Sequence, residues 1–172
     1  ARLGWDMRAW GKGSVAVFCT MLLAWAVVAD ECGREGRTLG LSHNRAILVV
    51  VNSDSHSVSL VDPDTLELLT EIRVGAQPKQ VAAHPKRPLA YVSNYDSDTV
   101  SVLDLIARVV VGTIPVGDRP VGVAVCPQGD CLAVAAYGDD CVFLFDSTTN
   151  ERIATVPVGD RPYSVVFTPD GE

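Results

Sequence analysis

Basic residues do not outnumber acidic residues in this sequence, and this excludes one class of binding partner. The chain carries 14 Lys and Arg residues against 21 Asp and Glu residues, a formal net charge of −7. Nucleic-acid phosphates require a basic binding surface, so we exclude a nucleic-acid partner. Hydrophobic residues make up 48% of the chain, which excludes a disordered protein.

Tryptophan is missing from most of the chain, because all three Trp residues fall within the first 25 positions. In this separate segment Arg8 and Lys12 precede an apolar run over 14–29. The run has 16 residues, fewer than the roughly 20 that a membrane-spanning helix needs. Small residues then precede Asp30, as a signal peptidase requires.

We therefore predict a secretory signal peptide over residues 1–29, with a start at Met7, followed by a linker over 30–40. An uncleaved N-terminal anchor is the alternative. The protein is then expected in the periplasm, at the cell surface or outside the cell, with membrane contact only through this segment.

Metal-binding and redox cysteine motifs are also missing. Cys32, Cys126, Cys131 and Cys141 follow the predicted signal, and none forms C-x-x-C or C-x-x-C-H. This spacing excludes zinc, thioredoxin-type and haem-attachment motifs. An oxidising compartment permits disulfides, and Cys126 and Cys131 flank the turn PQGD, so they are the candidate disulfide pair.

Helical periodicity is absent after the signal, whereas a repeat is present. The hexapeptide PVGDRP occurs at 115–120 and again at 157–162, 42 positions later. Other residues recur with the same period and no insertion: Asp62, Asp104 and Asp146; Gly75, Gly117 and Gly159; Pro78, Pro120 and Pro162; Pro85, Pro127 and Pro169. A fixed period of this length is the signature of a repeat architecture.

Each copy reads as four short β-strands, which in the second copy lie at 80–83, 89–94, 99–104 and 107–116. Val, Ile and Tyr dominate these stretches, and Gly, Pro, Asp and Asn separate them. Four strands in about 42 residues make one blade of a β-propeller. We predict an all-β partial propeller with blades at about 41–78, 79–120 and 121–162 and a partial fourth at 163–172. Closed propellers need about four to eight blades, so we expect a fragment of a longer protein.

The hexapeptide is predicted to connect the outer strand of one blade to the inner strand of the next. Gly117 and Gly159 can adopt positive φ at this sharp turn. Pro120 and Pro162 suit the first position of a new strand. Asp118 and Asp160 are expected to accept hydrogen bonds from nearby backbone amides.

Two stretches carry a family resemblance: YVSNYDSDTVSVLD (91–104) and VGTIPVGDRPVGVAVCPQGD (111–130). They closely resemble the YVTN-type β-propeller repeat, and the resemblance extends over about 41–172. It implies a secreted or cell-envelope propeller, often seven-bladed, as in surface-layer proteins. Related propellers include lactonase-like and amine-dehydrogenase-like enzymes and the haem-binding domain of a nitrite reductase. Ala76-Gln77 and Asn44-Arg45 depart from the repeat pattern.

A ligand site is expected on the rim where the crossovers meet the turns between second and third strands. Concave, loop-built surfaces of this kind commonly bind ligands. Arg119 and Arg161 could hold an anionic group together; the alternative is that residues repeated in each blade serve the blade itself. The candidate ligand-binding residues are Arg119, Arg161, Asp118, Asp160, Tyr95, Asp96, Tyr137 and His56.

Carboxylates on this rim, including those of YDSD and YGDD, could instead bind Ca²⁺, although neither turn has the full spacing of a calcium loop. Positions that differ between copies are also candidates: His56, Gln77, Lys79 and His84. We expect His84 to be a surface residue and not a ligand. No catalytic residue, metal site or cofactor is predicted, because no catalytic triad, Cys-His pair or glycine-rich phosphate loop is present.

The preferred interpretation is an exported, non-catalytic binding or scaffold propeller of the cell envelope, with a protein, glycan or small ligand at its rim. The alternative is part of a propeller enzyme or redox accessory protein, either a lactonase-like hydrolase or a quinone- or haem-associated propeller. Fold analogy alone supports that alternative.

Overall fold

The computed structural model describes residues 39–42 and 47–171. The predicted signal peptide, most of the linker and the Asn44-Arg45 turn lie outside these ranges. All regular structure in the described residues is β, so the predicted fold class is confirmed. Within the same ranges, no helix has the length and apolarity needed to cross a membrane.

In the part of the chain that the structure describes, twelve strands form three four-stranded antiparallel blades in which the strands follow chain order. The first blade contains β1 (Leu39–Leu41), β2 (Leu48–Asn52), β3 (Ser57–Val61) and β4 (Leu68–Arg73). The second contains β5 (Pro78–Ala83), β6 (Leu89–Asn94), β7 (Thr99–Asp104) and β8 (Val109–Pro115). The third contains β9 (Pro120–Val125), β10 (Cys131–Ala136), β11 (Cys141–Asp146) and β12 (Arg152–Pro157).

The first strands of neighbouring blades pack against one another, which makes β1, β5 and β9 the innermost strands. Pro120 begins β9 as predicted and Pro78 begins β5, whereas the strand start predicted at Pro162 does not form. No strand forms in residues 158–171, but a Cβ added to Gly122 would contact the backbone at Ser164 and Val165. This segment therefore packs against β9 where a fourth blade would begin.

Side-chain alternation along β6 and β7 buries both faces of the second blade. Ala90, Val92 and Leu103 pack towards the first blade. Tyr91 and Val102 pack towards the third blade. One apolar core therefore lies between the first and second blades and the other between the second and third. Each core is complete only when both adjoining blades are present.

Buried polar groups fix how the second and third blades align. The Val123 amide donates to Gln80 Oε1 at 3.3 Å, and Ser93 Oγ donates to the Val121 carbonyl at 2.7 Å. The Gln80 amide in turn donates to Ser93 Oγ at 3.1 Å. Because buried polar groups are costly without partners, these bonds favour a single alignment of the two inner strands.

The turns between third and fourth strands are built on the repeated aspartates. Asp62 Oδ1 accepts the amides of Asp64 and Thr65 at 2.8 and 3.1 Å. Asp104 and Asp146 accept the equivalent amide pairs in the next two blades. Backbone amides donating to Asp62 and Asp146 lower the pKa of both carboxyls.

His84 is buried, with 2% of its surface exposed, so the expectation of a surface residue was wrong. Its Nδ1 accepts the amides of Lys86 and Arg87 at 3.0 and 2.9 Å, and its Nε2 lies 2.8 Å from the Gly129 carbonyl. Arg87 Nη2 donates to Ser147 of the third blade. His84 is buried because the third blade covers it. The sequence of one repeat alone does not reveal this contact between blades.

Cys126, Cys131 and Cys141 are free thiols in the structure. Cys126 and Cys131 face each other across the turn: the Cys126 amide donates to the Cys131 carbonyl at 2.9 Å, and the Cys131 amide donates to Cys126 Sγ at 3.2 Å. The Cys126 thiol donates to Asp130 Oδ1 at 2.9 Å. The two cysteines therefore lie opposite each other where the turn begins and ends.

We predict that acid removes part of the stability through Asp62 and Asp146. Their pKa values are lower in the folded than in the unfolded chain, so their stabilising contribution is fully present above the unfolded pKa of about 3.9 and is lost as the pH falls through the folded pKa. Asp62→Asn combined with Asp146→Asn should make stability fall less steeply below about pH 4, as measured by urea unfolding. The control is Asp64→Asn. If the free energy of unfolding fell equally steeply below about pH 4 in the double variant and in this control, the prediction would be contradicted.

The disulfide between Cys126 and Cys131 stays a prediction that thiol counting can test. With Cys19, Cys32 and Cys141 changed to Ala, glutathione disulfide should oxidise the two remaining thiols to one intramolecular disulfide and be reduced to two glutathione thiols. Burial raises the pKa of Cys131, so the reaction should quicken as the pH rises. Iodoacetamide should then label neither cysteine. Full labelling or a linked dimer would contradict the prediction.

Candidate functional site

The crossovers and the turns between second and third strands lie together on one rim. We call this surface the crossover rim; it comprises the turns 53–56, 95–98 and 137–140 and the crossovers 74–77, 116–119 and 158–161. Each crossover bonds to the turn of the blade before it: the amides of Val74, Val116 and Val158 donate to the carbonyls of His56, Asp98 and Asp140. The structure therefore brings together the segments that carry the candidate site residues.

The residue before each crossover proline has positive φ. The values are 47° for Gln77, 52° for Arg119 and 56° for Arg161. Positive φ is uncommon outside glycine. The Arg119 amide donates to Asp98 Oδ1 at 2.9 Å, and the Arg161 amide donates to Asp140 Oδ1 at 2.8 Å.

The first blade makes the same contact with a different residue, since the Gln77 amide donates to His56 Nδ1 at 3.0 Å. The following blade supplies a second set of bonds. The Tyr95 amide donates to the Gln77 carbonyl at 3.0 Å, and the Tyr137 amide donates to the Arg119 carbonyl at 3.1 Å. The first two crossovers are therefore bonded to both blades that they join.

The positive φ predicted for the crossover glycines is confirmed at Gly117 but not at Gly159, and the crossover aspartates are not the side chains that accept the backbone amides. Gly117 has positive φ, 100°, whereas Gly159 is not among the residues with positive φ. The Asp118 carboxylate lies 3.6 Å from Arg119 Nε as an exposed pair, and Asp160 is exposed. The amide-accepting carboxylates come from the turns instead, including Asp139, which accepts the Asp118 amide at 2.8 Å.

Two cations and two tyrosines form a continuous row across the second and third blades. Lys79 Nζ lies 5.1 Å from the centre of the Tyr95 ring. The Tyr95 and Tyr137 rings are 6.2 Å apart and inclined at 54°. The Arg161 guanidinium carbon lies 5.8 Å from the centre of the Tyr137 ring. We call these four residues the aromatic–cation row.

The row presents flat apolar faces beside positive charge. Both tyrosines and Lys79 are partly buried, and Arg161 is exposed. Ring faces attract cations, so each tyrosine orients its neighbouring cation. Chemically, the row can contact a planar apolar group and pair with acidic groups at its two ends.

The remaining predicted residues lie outside this row. Asp96 is exposed and contributes its amide to the Ala76 carbonyl at 3.2 Å. His56 is exposed at the first crossover contact. Within the described residues, no three His, Cys, Asp or Glu side chains are arranged to hold a metal ion, so the calcium alternative gains no support there.

The sequence indicated Lys79 as a candidate because it aligns with Val121 and Tyr163 in the other copies and differs from both. It did not indicate that Lys79 lies beside Tyr95. Its contact with Tyr95 was not predictable, because the two residues lie 16 positions apart on different segments of the blade.

Residues 42–165 match the family described as Cytochrome D1 heme domain. Among solved structures, Kuenenia stuttgartiensis hydrazine synthase is similar with a TM-score of 0.74 and 31% identity, over 77% of this chain and 39% of that chain. Apo AztD from Citrobacter koseri is similar with a TM-score of 0.59 and 18% identity, over 69% of this chain and 33% of that one. No curated protein matches the chain. The chain spans well under half the length of either structure.

Breaking the crossover contact should destabilise the fold. Asp98→Ala removes the acceptor of the Arg119 amide and places alanine at a φ of 55°, so we expect a loss of about 1–2 kcal/mol in the free energy of unfolding. Asp98→Asn keeps an acceptor oxygen and should lose less. Urea unfolding measures both, with Asp96→Ala in the same turn as the control. Equal effects at positions 96 and 98 would contradict the prediction.

Proposed function

Because the chain belongs to the cytochrome D1 haem domain family, we propose that it supplies consecutive blades to an exported, haem-associated β-propeller and that its crossover rim contacts the tetrapyrrole ring. The family match over residues 42–165 is the observation that carries this proposal. The predicted signal peptide supports the export part. In this proposal the described blades bind and orient the ligand.

The aromatic–cation row suits the chemistry of a tetrapyrrole. Such a ligand has a flat apolar ring and acidic substituents at its edge. Tyr95 and Tyr137 offer two neighbouring ring faces, and aromatic contacts of this kind favour planar apolar groups. Haem, when bound, supplies redox chemistry at its iron.

Lys79 and Arg161 are the residues proposed to hold the acidic substituents. They lie at opposite ends of the row, each above a tyrosine ring, with N–H groups available for charge-assisted hydrogen bonds. Arg119 is less suited to this role, because it already lies 3.6 Å from the Asp118 carboxylate. The expected anion contacts are therefore at positions 79 and 161.

A second candidate function is a binding or scaffold propeller of the cell envelope that takes no haem. It is favoured by the use of the rim side chains: His56, Asp98, Asp139 and Asp140 all accept backbone amides. These side chains stabilise the blades, so much of the rim has a structural role. In this case a protein, glycan or small ligand would occupy the rim.

Porphyrin titration separates the two functions. The full chain is titrated with iron protoporphyrin IX, and binding is followed by the main absorption band of the porphyrin. Loss of a charge-assisted contact costs about 1.5–3 kcal/mol when shielded and less when exposed, so Lys79→Ala and Arg161→Ala should each weaken binding about tenfold.

The matched control is Arg108→Ala. Arg108 also has positive φ, 58°, but it lies in the β7–β8 turn on the opposite rim, so its loss should leave affinity unchanged. Absence of binding by the unmodified chain would favour the scaffold function. Equal weakening by all three variants would contradict a role for the row.

A further inference from the structure

We infer that a haem bound to these blades receives no histidine ligand from their described residues and is held through its ring and acidic substituents. This inference rests on the proposed function and goes beyond it. Proximal histidine is a common haem ligand. Two histidines are described, His56 and His84, and the hydrogen bonds of both determine which ring nitrogen carries the proton.

His84 has the wrong tautomer to bind iron. Its Nδ1 accepts two backbone amides, those of Lys86 and Arg87, and backbone amides can only donate. Nδ1 therefore has no proton, and in the neutral ring Nε2 carries it. The Nε2 proton is donated to the Gly129 carbonyl at 2.8 Å.

Arg87 Nε also lies 2.8 Å from His84 Nε2. This contact is not a hydrogen bond, because an N–H group cannot donate to a nitrogen that already carries a proton. The two amide bonds to Nδ1 decide the tautomer, since their donors cannot change. Neither nitrogen of the buried His84 ring offers a lone pair to a metal.

His56 is exposed, but its tautomer is determined in the same way. The Gln77 amide donates to His56 Nδ1 at 3.0 Å, so the proton of the neutral ring is on Nε2. Binding of iron at Nε2 would require a proton on Nδ1, facing the Gln77 N–H. That change would break the crossover contact at a residue with a φ of 47°.

Metal-binding histidines show the opposite arrangement. Their second nitrogen usually donates its proton to a carboxylate, a carbonyl or water, which leaves the first nitrogen free to bind the metal. At His56 and His84 the Nδ1 atom faces N–H donors instead. Both residues therefore act as hydrogen-bond acceptors in backbone turns.

The position of His56 in the repeat supports this role. His56 aligns with Asp98 and Asp140, 42 and 84 residues later, and both aspartates accept the equivalent crossover amide. An imidazole Nδ1 replaces a carboxylate oxygen at the same contact. All three side chains provide an acceptor atom for the crossover amide. This shared role accounts for the histidine at position 56 without a metal.

Comparison of two porphyrins tests the inference in the full chain carrying His43→Ala, because His43 lies outside the described residues. Metal-free protoporphyrin IX has the same ring and acidic substituents as the iron form but cannot take a protein ligand on a metal. We expect the two to bind within about threefold of each other, whereas an axial histidine would favour the iron form by about tenfold or more. His56→Asp, which keeps an acceptor at the crossover contact, should leave the absorption spectrum of the bound iron form unchanged.

A preference of about tenfold or more for the iron form, lost in His56→Asp or in His84→Asn, would overturn the inference while leaving the proposed function intact. His84→Asn retains an acceptor for the turn amides, and its folding is checked by urea unfolding. Failure of both porphyrins to bind would overturn the proposed function and the inference together. Binding of the metal-free porphyrin therefore distinguishes a failure of the inference from a failure of the proposed function.

Discussion

The architecture depends on the positive φ of the residue that precedes each crossover proline. An L-residue in a left-handed conformation costs roughly 1–2 kcal/mol, and a following proline restricts it further. Arg119 shows how the cost is offset: its amide donates to Asp98 of one blade and its carbonyl accepts from Tyr137 of the next. Each hydrogen bond contributes about 0.5–1.5 kcal/mol net, so two bonds compensate for the strain.

The backbone conformation repeats from blade to blade, whereas the side chains at the repeated positions differ. Among the described residues, the nine non-glycine residues with positive φ fall into three series, each with a period of 42: His56, Asp98 and Asp140; Leu66, Arg108 and Asn150; Gln77, Arg119 and Arg161. Residue types as different as Leu and Asn occupy one series. Hydrogen bonds within the turns and crossovers therefore set the backbone, and the side chains at these positions are left to differ between blades.

Strands were predictable from the sequence because alternation and turn residues are local signals. The second and third strands of the second blade were predicted at 89–94 and 99–104, and β6 and β7 occupy these ranges. The burial of His84 and the contact between Tyr95 and Tyr137 were not predictable, because both arise where two blades meet. The repeat predicts that blades pack, but not which side chains face each other across the contact.

The net charge of the chain does not describe the charged groups that lie beside the two tyrosines. The chain is acidic overall, at −7, yet the carboxylates of Asp98 and Asp140 accept backbone amides at the crossover rim. Amide donors partly offset their negative potential, whereas Lys79 and Arg161 lie above tyrosine rings. Charges farther away than about 8–10 Å are screened at physiological salt. Beside the two tyrosine rings, the nearest charged groups, rather than the total charge of the chain, therefore determine the local potential.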